Sequence, residues 1–251
     1  MASFEGKSVI VTGSSGGIGR AAAIRFAREG AKVALADLKE EGNAETLGMI
    51  TSEGGEAIAL NVDVSVEAQV ERMVEATVER FGGLDVGLNN AGVFQPLGQI
   101  HEQEDETFQK VMNVNLRGVW LCMKHQIRQM LKAGRGAIVN TTSSASVNGT
   151  PFSAFYSASK HGVLGLTRSA GIEYAASGIR INAIAPGGTM TPMLEAVMAK
   201  HPEFAEMGAE RTPIGRNADP DEMASAILFL ASDDASYVVG HNLLVDGGFS
   251  V

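Results

Sequence analysis

The chain has almost no cysteine, no excess of positive charge and no long apolar run, and each shortage excludes a class of function. Cys122 is the single cysteine in 251 residues, so neither an intramolecular disulfide nor a cysteine-cluster zinc site can form. It reads as a small apolar helix residue. Lysine and arginine total 20 against 29 aspartates and glutamates, a formal net charge of -9. A nucleic-acid backbone would meet repulsion rather than steering, so no nucleic-acid partner is expected. No stretch approaches the roughly 18 uninterrupted apolar residues of a membrane span, which argues against a membrane partner. Met1 to Lys7 has neither a basic start with an apolar run nor a cleavage site, so an unexported protein in a reducing cytoplasm is expected. His101, His125, His161, His201 and His241 show no ligand spacing, and no metal is expected. No repeat, low-complexity tract or linker divides residues 1–251, which are expected to form a single domain.

What the chain does have is regular alternation. Ser8-Val9-Ile10-Val11-Thr12 is a β-branched run ending in glycines, and Ile18, Ala22, Ala23, Phe26 and Ala27 follow at helical spacing. Lys32-Val33-Ala34-Leu35-Ala36 repeats the strand pattern, completing a βαβ unit with a right-handed crossover. The alternation continues with a helix over 39–52, a strand over 57–60, a helix striped by Val66, Val70, Met73, Val74, Val78 and Phe81, and a strand over 84–88. One long helical pattern runs from Phe108 to Met130, followed by strands over 137–140, 179–185 and 242–245 and by helices toward Tyr174 and over 221–230. This order predicts an α/β fold: a doubly wound parallel sheet, Rossmann-like, with helices on both faces and ligands at the carboxyl ends of the strands. Between Thr189 and Asn217 the pattern loosens into methionines, prolines and short helical pieces, which predicts a substrate lid over about residues 188–217.

Four features carry chemistry. Tyr156 and Lys160 stand four residues apart on a helix, within mutual reach, and a nearby ammonium favours a phenolate; such pairs also arise by chance on helices. The turn Gly13-Ser14-Ser15-Gly16-Gly17-Ile18-Gly19 sits where a strand becomes a helix, the context for cradling a pyrophosphate or for close strand-to-helix packing. Its glycine spacing departs from G-x-G-x-x-G. The same residues satisfy G-x-S-x-G, the nucleophile turn of a serine hydrolase, yet only 12 residues precede Gly13, too few to supply an oxyanion donor from an earlier loop. Asp37, at the end of the second strand, suits a turn or a bond to the adenosine ribose hydroxyls, and there it would repel a 2′-phosphate. Asn115 interrupts an apolar stripe, so it is either a satisfied structural amide or part of a site.

Together these residues resemble the short-chain dehydrogenase/reductase family over essentially the whole chain. Thr12 to Gly19 matches its T-G-x-x-x-G-x-G turn, Asn89-Asn90-Ala91-Gly92 its N-N-A-G motif, and Tyr156 to Lys160 its Y-x-x-x-K. Ser143, 13 residues before Tyr156, and Asn115 in Val114-Asn115-Leu116 stand where the family has its catalytic serine and asparagine. The resemblance implies a catalytic tetrad of Asn115, Ser143, Tyr156 and Lys160, with Asn115 anchoring a water that passes the proton outward. It implies cofactor contacts from Gly13, Ser15, Gly17, Ile18 and Gly19, from Asp37 and Leu38, and from Asp63 and Val64 at the adenine. Further contacts are implied from Asn90, Ala91 and Gly92, from Tyr156 and Lys160, and from Pro186, Gly187, Thr189 and Thr191 near the nicotinamide.

With Asp37 in place, the expected cofactor is NAD, with Arg20 and Lys39 the only nearby cations that could receive a 2′-phosphate. The expected substrate is a neutral, hydrophobic secondary alcohol or ketone, received by Met190, Met193, Leu194, Val197, Met198, Phe204, Met207 and Ile214 of the lid. Phe94, Pro96, Leu97, Val147 and Phe152 fall in loops at the same edge. The alternative is a 3-oxoacyl carrier-protein reductase using NADPH, which Ser177 argues against, since such reductases often have a basic residue there. The resemblance also implies a homotetramer built on the helices holding Asn115 and Tyr156, with the apolar stretch from Tyr237 to Val251 at a second interface.

Overall fold

The computed structural model describes residues 4–201 and 211–251. Within them, seven strands form one sheet in the order β3-β2-β1-β4-β5-β6-β7, every neighbouring pair parallel. The strands are β1 (Ser8–Thr12), β2 (Lys32–Asp37), β3 (Glu56–Asn61), β4 (Val86–Asn89), β5 (Gly136–Thr141), β6 (Ile179–Pro186) and β7 (Asn242–Val245). The helices are α1 (Gly17–Arg28), α2 (Glu40–Ser52), α3 (Glu67–Phe81), α4 (Asp105–Met112), α5 (Gly118–Ala133), α6 (Ala154–Tyr174), α7 (Pro192–Lys200) and α8 (Pro220–Ala231).

A parallel sheet is buried on both faces, and the pleat divides each strand between two cores. Val9 and Val11 of β1 pack with Phe26 of α1 and Met223, Ile227 and Leu228 of α8. Ile10, between them, packs on the other side with Met73 of α3, Met123 and Met130 of α5 and Val163 of α6. The strand order reverses between β1 and β4, which opens a crevice at the carboxyl ends of the strands where ligands bind in such sheets.

One stretch differs from its sequence pattern. The helix predicted from Phe108 to Met130 is interrupted by a π-type turn over Asn113–Arg117, which separates α4 from α5. The loosely patterned stretch after Thr189 contains a regular helix, α7, with Pro192 in its first turn and the Thr191 hydroxyl accepting from the Leu194 N–H at 3.3 Å. No helix among the described residues is long and apolar enough to cross a membrane.

Candidate active site

The turn after β1 is shaped by close approach. Gly13 and Gly17 have φ of 72° and 52°, and a β-carbon would stand 2.9 Å from Ala91 Cα at Gly13 and 2.9 Å from Thr191 Cγ2 at Gly17. At Gly19 a β-carbon would lie 2.0 Å from the Gly13 carbonyl oxygen. Gly19 therefore sets how closely α1 meets the turn and does not line the cleft. Asp37, at the end of β2, pins the turn: its carboxylate accepts from the Ser15 N–H at 3.0 Å and the Lys39 N–H at 2.9 Å. Arg20 is already engaged, donating to Glu45 at 2.5 Å, the Ser15 carbonyl at 2.6 Å and the Thr46 hydroxyl at 3.0 Å.

Across the switch point, the Thr12 hydroxyl accepts from the Asn90 and Ala91 N–H groups at 3.0 and 3.1 Å, tying the end of β4 to β1. Asn90 Nδ2 donates to the Thr12 carbonyl at 3.2 Å, and Thr141 Oγ1 donates to Asn90 Oδ1 at 3.3 Å. Beyond β3, Asp63 Oδ1 accepts from the Ser65 amide and hydroxyl at 2.9 and 2.6 Å.

Ser143 follows β5, and Tyr156 and Lys160 occupy the first two turns of α6. Lys160 is 3 % exposed; its Nζ lies 5.6 Å from the Tyr156 ring centroid and donates to the Thr141 carbonyl at 2.7 Å. Burial lowers the Lys160 ammonium from a lysine's ordinary 10.5 to about 8. Burial also pushes the Tyr156 phenol up, while a hydrogen bond with the Ser143 side chain opposes it. This corrects the simple expectation from spacing. In the chain by itself desolvation is the larger influence on the phenol, and the Ser143 side chain opposes it.

Asn115 is fully buried and stands off the cleft wall. Its Oδ1 accepts from the Val93 N–H at 2.8 Å, and its Nδ2 donates to the Val93 carbonyl at 2.9 Å and to Ser159 Oγ at 3.2 Å. The side chain thus clamps the loop after β4, with both amide hydrogens spent on Val93 and Ser159. The π-type turn that carries it is a local widening often found beside functional sites.

Asn115 aside, the glycine turn, Asp37, the end of β4, Ser143, Tyr156 and Lys160 meet in one cleft of about 1120 Å³. Ser143 and every residue expected at the cofactor line it, with Gly19 the exception. The volume exceeds the roughly 300–1,000 Å³ of a single-ligand pocket, room for a dinucleotide and a small substrate together. The fit to a dinucleotide rests on the turn that a β-carbon would fill and on Asp37 at the edge of β2. Met193, Leu194 and Val197 of the lid and Phe94 and Leu97 of the β4 loop line the cleft. Met190, Met198, Ile214, Pro96, Val147 and Phe152 do not, and Phe204 and Met207 lie outside the described residues.

Sequence reasoning missed Lys110, Asn148, Arg211 and Phe249 on the same wall. The Arg211 guanidinium sits 6.0 Å from the Phe249 ring centroid, and Asn148 Nδ2 donates to Ser250 Oγ at 2.8 Å. The C-terminal residues thus wall this chain's own cleft, which no local pattern announces because β7 delivers them from more than 50 residues beyond β6.

Fold and cleft together define a dinucleotide-binding α/β enzyme. A family model described as enoyl-(acyl carrier protein) reductase, of the short-chain alcohol dehydrogenase type, matches residues 13–250. The chain is 43% identical to a cis-4-hydroxycyclohexanecarboxylate dehydrogenase of Sinomonas cyclohexanicum, covering 98% of each. It is 41% identical to a 2,5-dichloro-2,5-cyclohexadiene-1,4-diol dehydrogenase of Sphingobium indicum, covering 100% of this chain and 99% of that one. The crystal structure of a levodione reductase superposes with a TM-score of 0.96 at 42% identity over 98% of both chains. The structure of a 3-ketoacyl-(acyl-carrier-protein) reductase from Brucella melitensis with NADH gives 0.93 at 35% identity, covering 99% of this chain and 100% of that one. That of a putative gluconate 5-dehydrogenase from Beutenbergia cavernae with NADP gives 0.92 at 37% identity over 98% of both. The chain belongs to the short-chain dehydrogenase/reductase family. It is an oxidoreductase of the nicotinamide-dependent kind, and the serine-hydrolase reading of its glycine turn falls away.

Proposed function

We propose that the protein transfers a hydride between NAD(H) and a largely apolar cyclic secondary alcohol or its ketone, with Tyr156 as general acid/base. The observation that carries this reading is the convergence of the Tyr156 phenol, the Ser143 hydroxyl and the Lys160 ammonium on one wall of the cleft. The nicotinamide, when bound, accepts or supplies the hydride. In the oxidation direction the substrate hydroxyl proton passes to the Tyr156 phenolate as its carbon loses hydride, and the phenol then returns that proton to solvent. Ser143 Oγ already accepts from the Ala145 N–H at 3.1 Å, which leaves its own O–H to donate toward the phenol or the substrate oxygen. Lys160 spends one donor on Thr141 and keeps two for a ribose and for the field that favours phenolate.

Two observations support NAD over NADP. Asp37 faces the cleft beside the turn, where it would repel a 2′-phosphate, and Arg20 is tied to Glu45, which leaves Lys39 as the nearby cation. A ring-shaped substrate is supported by the apolar lining from Phe94, Leu97, Met193, Leu194 and Val197, and by relatives named for cyclohexane and cyclohexadiene alcohols. The carrier-protein reading draws support only from the names of relatives; Asp37 and Ser177 weigh against it. The tetramer reading is supported by exposed apolar side chains on the long helices, Trp120 on α5 and Ile172 on α6, and light scattering that shows a monomer at micromolar concentration would refute it. A cytoplasmic location is consistent with the lone thiol.

The test of the chemistry is Tyr156→Phe. Turnover should fall at least about a hundredfold, the usual scale of general acid/base catalysis, while NAD binding and the fold persist. Turnover within about tenfold of the parent would refute the assignment of Tyr156. Cyclohexanols and other cyclic alcohols, assayed by NADH absorbance at alkaline pH against sugar phosphates and acyl thioesters, test the substrate class.

A further inference from the structure

Gln95 lies 3 % exposed in the loop between β4 and α4, and its Nε2 is the single buried side-chain polar atom among the described residues without a hydrogen-bond partner. Its Oε1 accepts from the Tyr156 backbone N–H at 2.8 Å. A backbone N–H can only donate, so the side-chain amide cannot turn round without facing donor to donor. The unpaired NH₂ is the consequence of holding Tyr156.

Tyr156 is the third residue of α6, in the turn whose N–H groups have no acceptor inside the helix. Ser153, just before the helix, supplies no side-chain cap, and its hydroxyl donates to the Thr150 carbonyl at 3.4 Å. Gln95 provides the missing acceptor from 61 residues away. The loop that carries it is fastened on both sides. Asn115 holds Val93 through two bonds, the Phe94 ring lies 4.8 Å from the Tyr156 ring, and the Gly98 N–H donates to the Phe152 carbonyl at 3.1 Å. Phe152 has a φ of 65°, the one non-glycine residue among those described in the left-handed region, a conformation that persists where the surroundings over-determine it.

We propose that Gln95 is a positioning residue: its side-chain carbonyl fixes the Tyr156 main chain, and through it the phenol, against Ser143 and the substrate oxygen. This role rests on the reading of Tyr156 as the acid/base. An apolar residue would fill the same space without stranding a buried donor, so the feature of use is the acceptor.

Gln95→Met removes the acceptor and the stranded donor together. It should lower kcat about tenfold while the KM for the cofactor and the melting temperature stay close to the parent's, because a small misplacement of a reacting group acts on the chemical step. Gln95→Glu, which keeps an acceptor at the same reach, should restore kcat to within about threefold. Parent-like kcat in Gln95→Met, or an equal loss in Gln95→Glu, overturns the proposal. So does a fall in kcat matched by the cofactor KM and the melting temperature, the mark of a merely structural residue. Should Gln95→Met not fold, hydrogen exchange of the Tyr156 amide in the parent decides: slow exchange supports the cap, and exchange at the rate of an open first turn refutes it. Tyr156→Phe run alongside separates the two readings. If it turns over like the parent, the acid/base assignment has failed; if it is inactive while Gln95→Met is parent-like, only the positioning role has.

Discussion

Replacing Lys160 by methionine should stabilise the cofactor-free protein at neutral pH while disabling it. The lysine is buried beneath the cleft, and its ammonium is lowered from 10.5 to about 8 by desolvation, which corresponds to about 3 kcal/mol held against the folded state while the group is charged. Because the unfolded chain binds the proton more tightly than the folded one, stability rises with pH between the two values. The penalty is complete below about pH 8 and gone above about 10.5. Methionine fills similar space and carries no charge, but it leaves the Thr141 carbonyl without the donor now at 2.7 Å, a loss of about 1 kcal/mol at every pH, since a neutral amine donates as well. The variant should therefore be more stable than the parent by about 2 kcal/mol at pH 7, or about 4–8 °C in melting temperature for a chain of this size. Near pH 10.5 the order should reverse, with the parent ahead by about 1 kcal/mol. Calorimetry of both proteins without cofactor from pH 7 to 10.5 makes the comparison, and the titrations they share cancel in the difference. A gap that does not change over this range, or a parent more stable at pH 7, would refute the reasoning. Turnover in the variant should be lost, and its residual alkaline-going limb should move to higher pH, because the phenol has lost the nearby positive charge.

Four further outcomes follow from the geometry. Gly19→Ala, which places a β-carbon 2.0 Å from the Gly13 carbonyl, should cost at least about 2 kcal/mol and abolish cofactor binding, as measured by melting and by NADH fluorescence titration. Gly16→Ala, with extended backbone and its nearest neighbour at 3.6 Å, should be tolerated in the same assays. Asp37→Ser should lower the NAD-to-NADP ratio of kcat/KM at least about tenfold, about 1.4 kcal/mol of discrimination; a parent preference for NADP would show that Lys39 outweighs the carboxylate. Arg211→Met should leave kcat/KM for neutral cyclic alcohols within about twofold and lower it about fivefold for ring alcohols bearing a carboxylate, the scale of one partly exposed ion pair; equal effects on both would place Arg211 outside substrate recognition.

The parts of the molecule that were legible in the sequence are those fixed by local period and short motifs. The strands of a parallel sheet are continuous apolar runs because both faces are covered, so Val9, Ile10 and Val11 announce β1 regardless of which helix covers which side. The glycine turn is legible for a similar reason, since a β-carbon on Gly13 or Gly17 would stand 2.9 Å from Ala91 or Thr191 and the turn permits no side chain there. Function written in partners distant along the chain is not legible in that way. Asn115 was visible as an intruder, but its partners at Val93 and Ser159 lie 22 and 44 residues away, and nothing local tells a clamp from a water anchor. Gln95 carries less signal still, a polar residue in a loop whose importance appears only when β4 and α6 bring it to an open N–H. The same limit governs the Tyr156–Lys160 pair: spacing places the groups together, while burial, which a sequence records only through the fold, sets the direction in which each one titrates. The two influences must be opposed in the working enzyme. A site dry enough to strengthen hydrogen bonds to a reacting oxygen is also dry enough to disfavour phenolate and ammonium alike, so the Ser143 hydroxyl beside the phenol and the Thr141 carbonyl on the ammonium are what oppose burial at this pair.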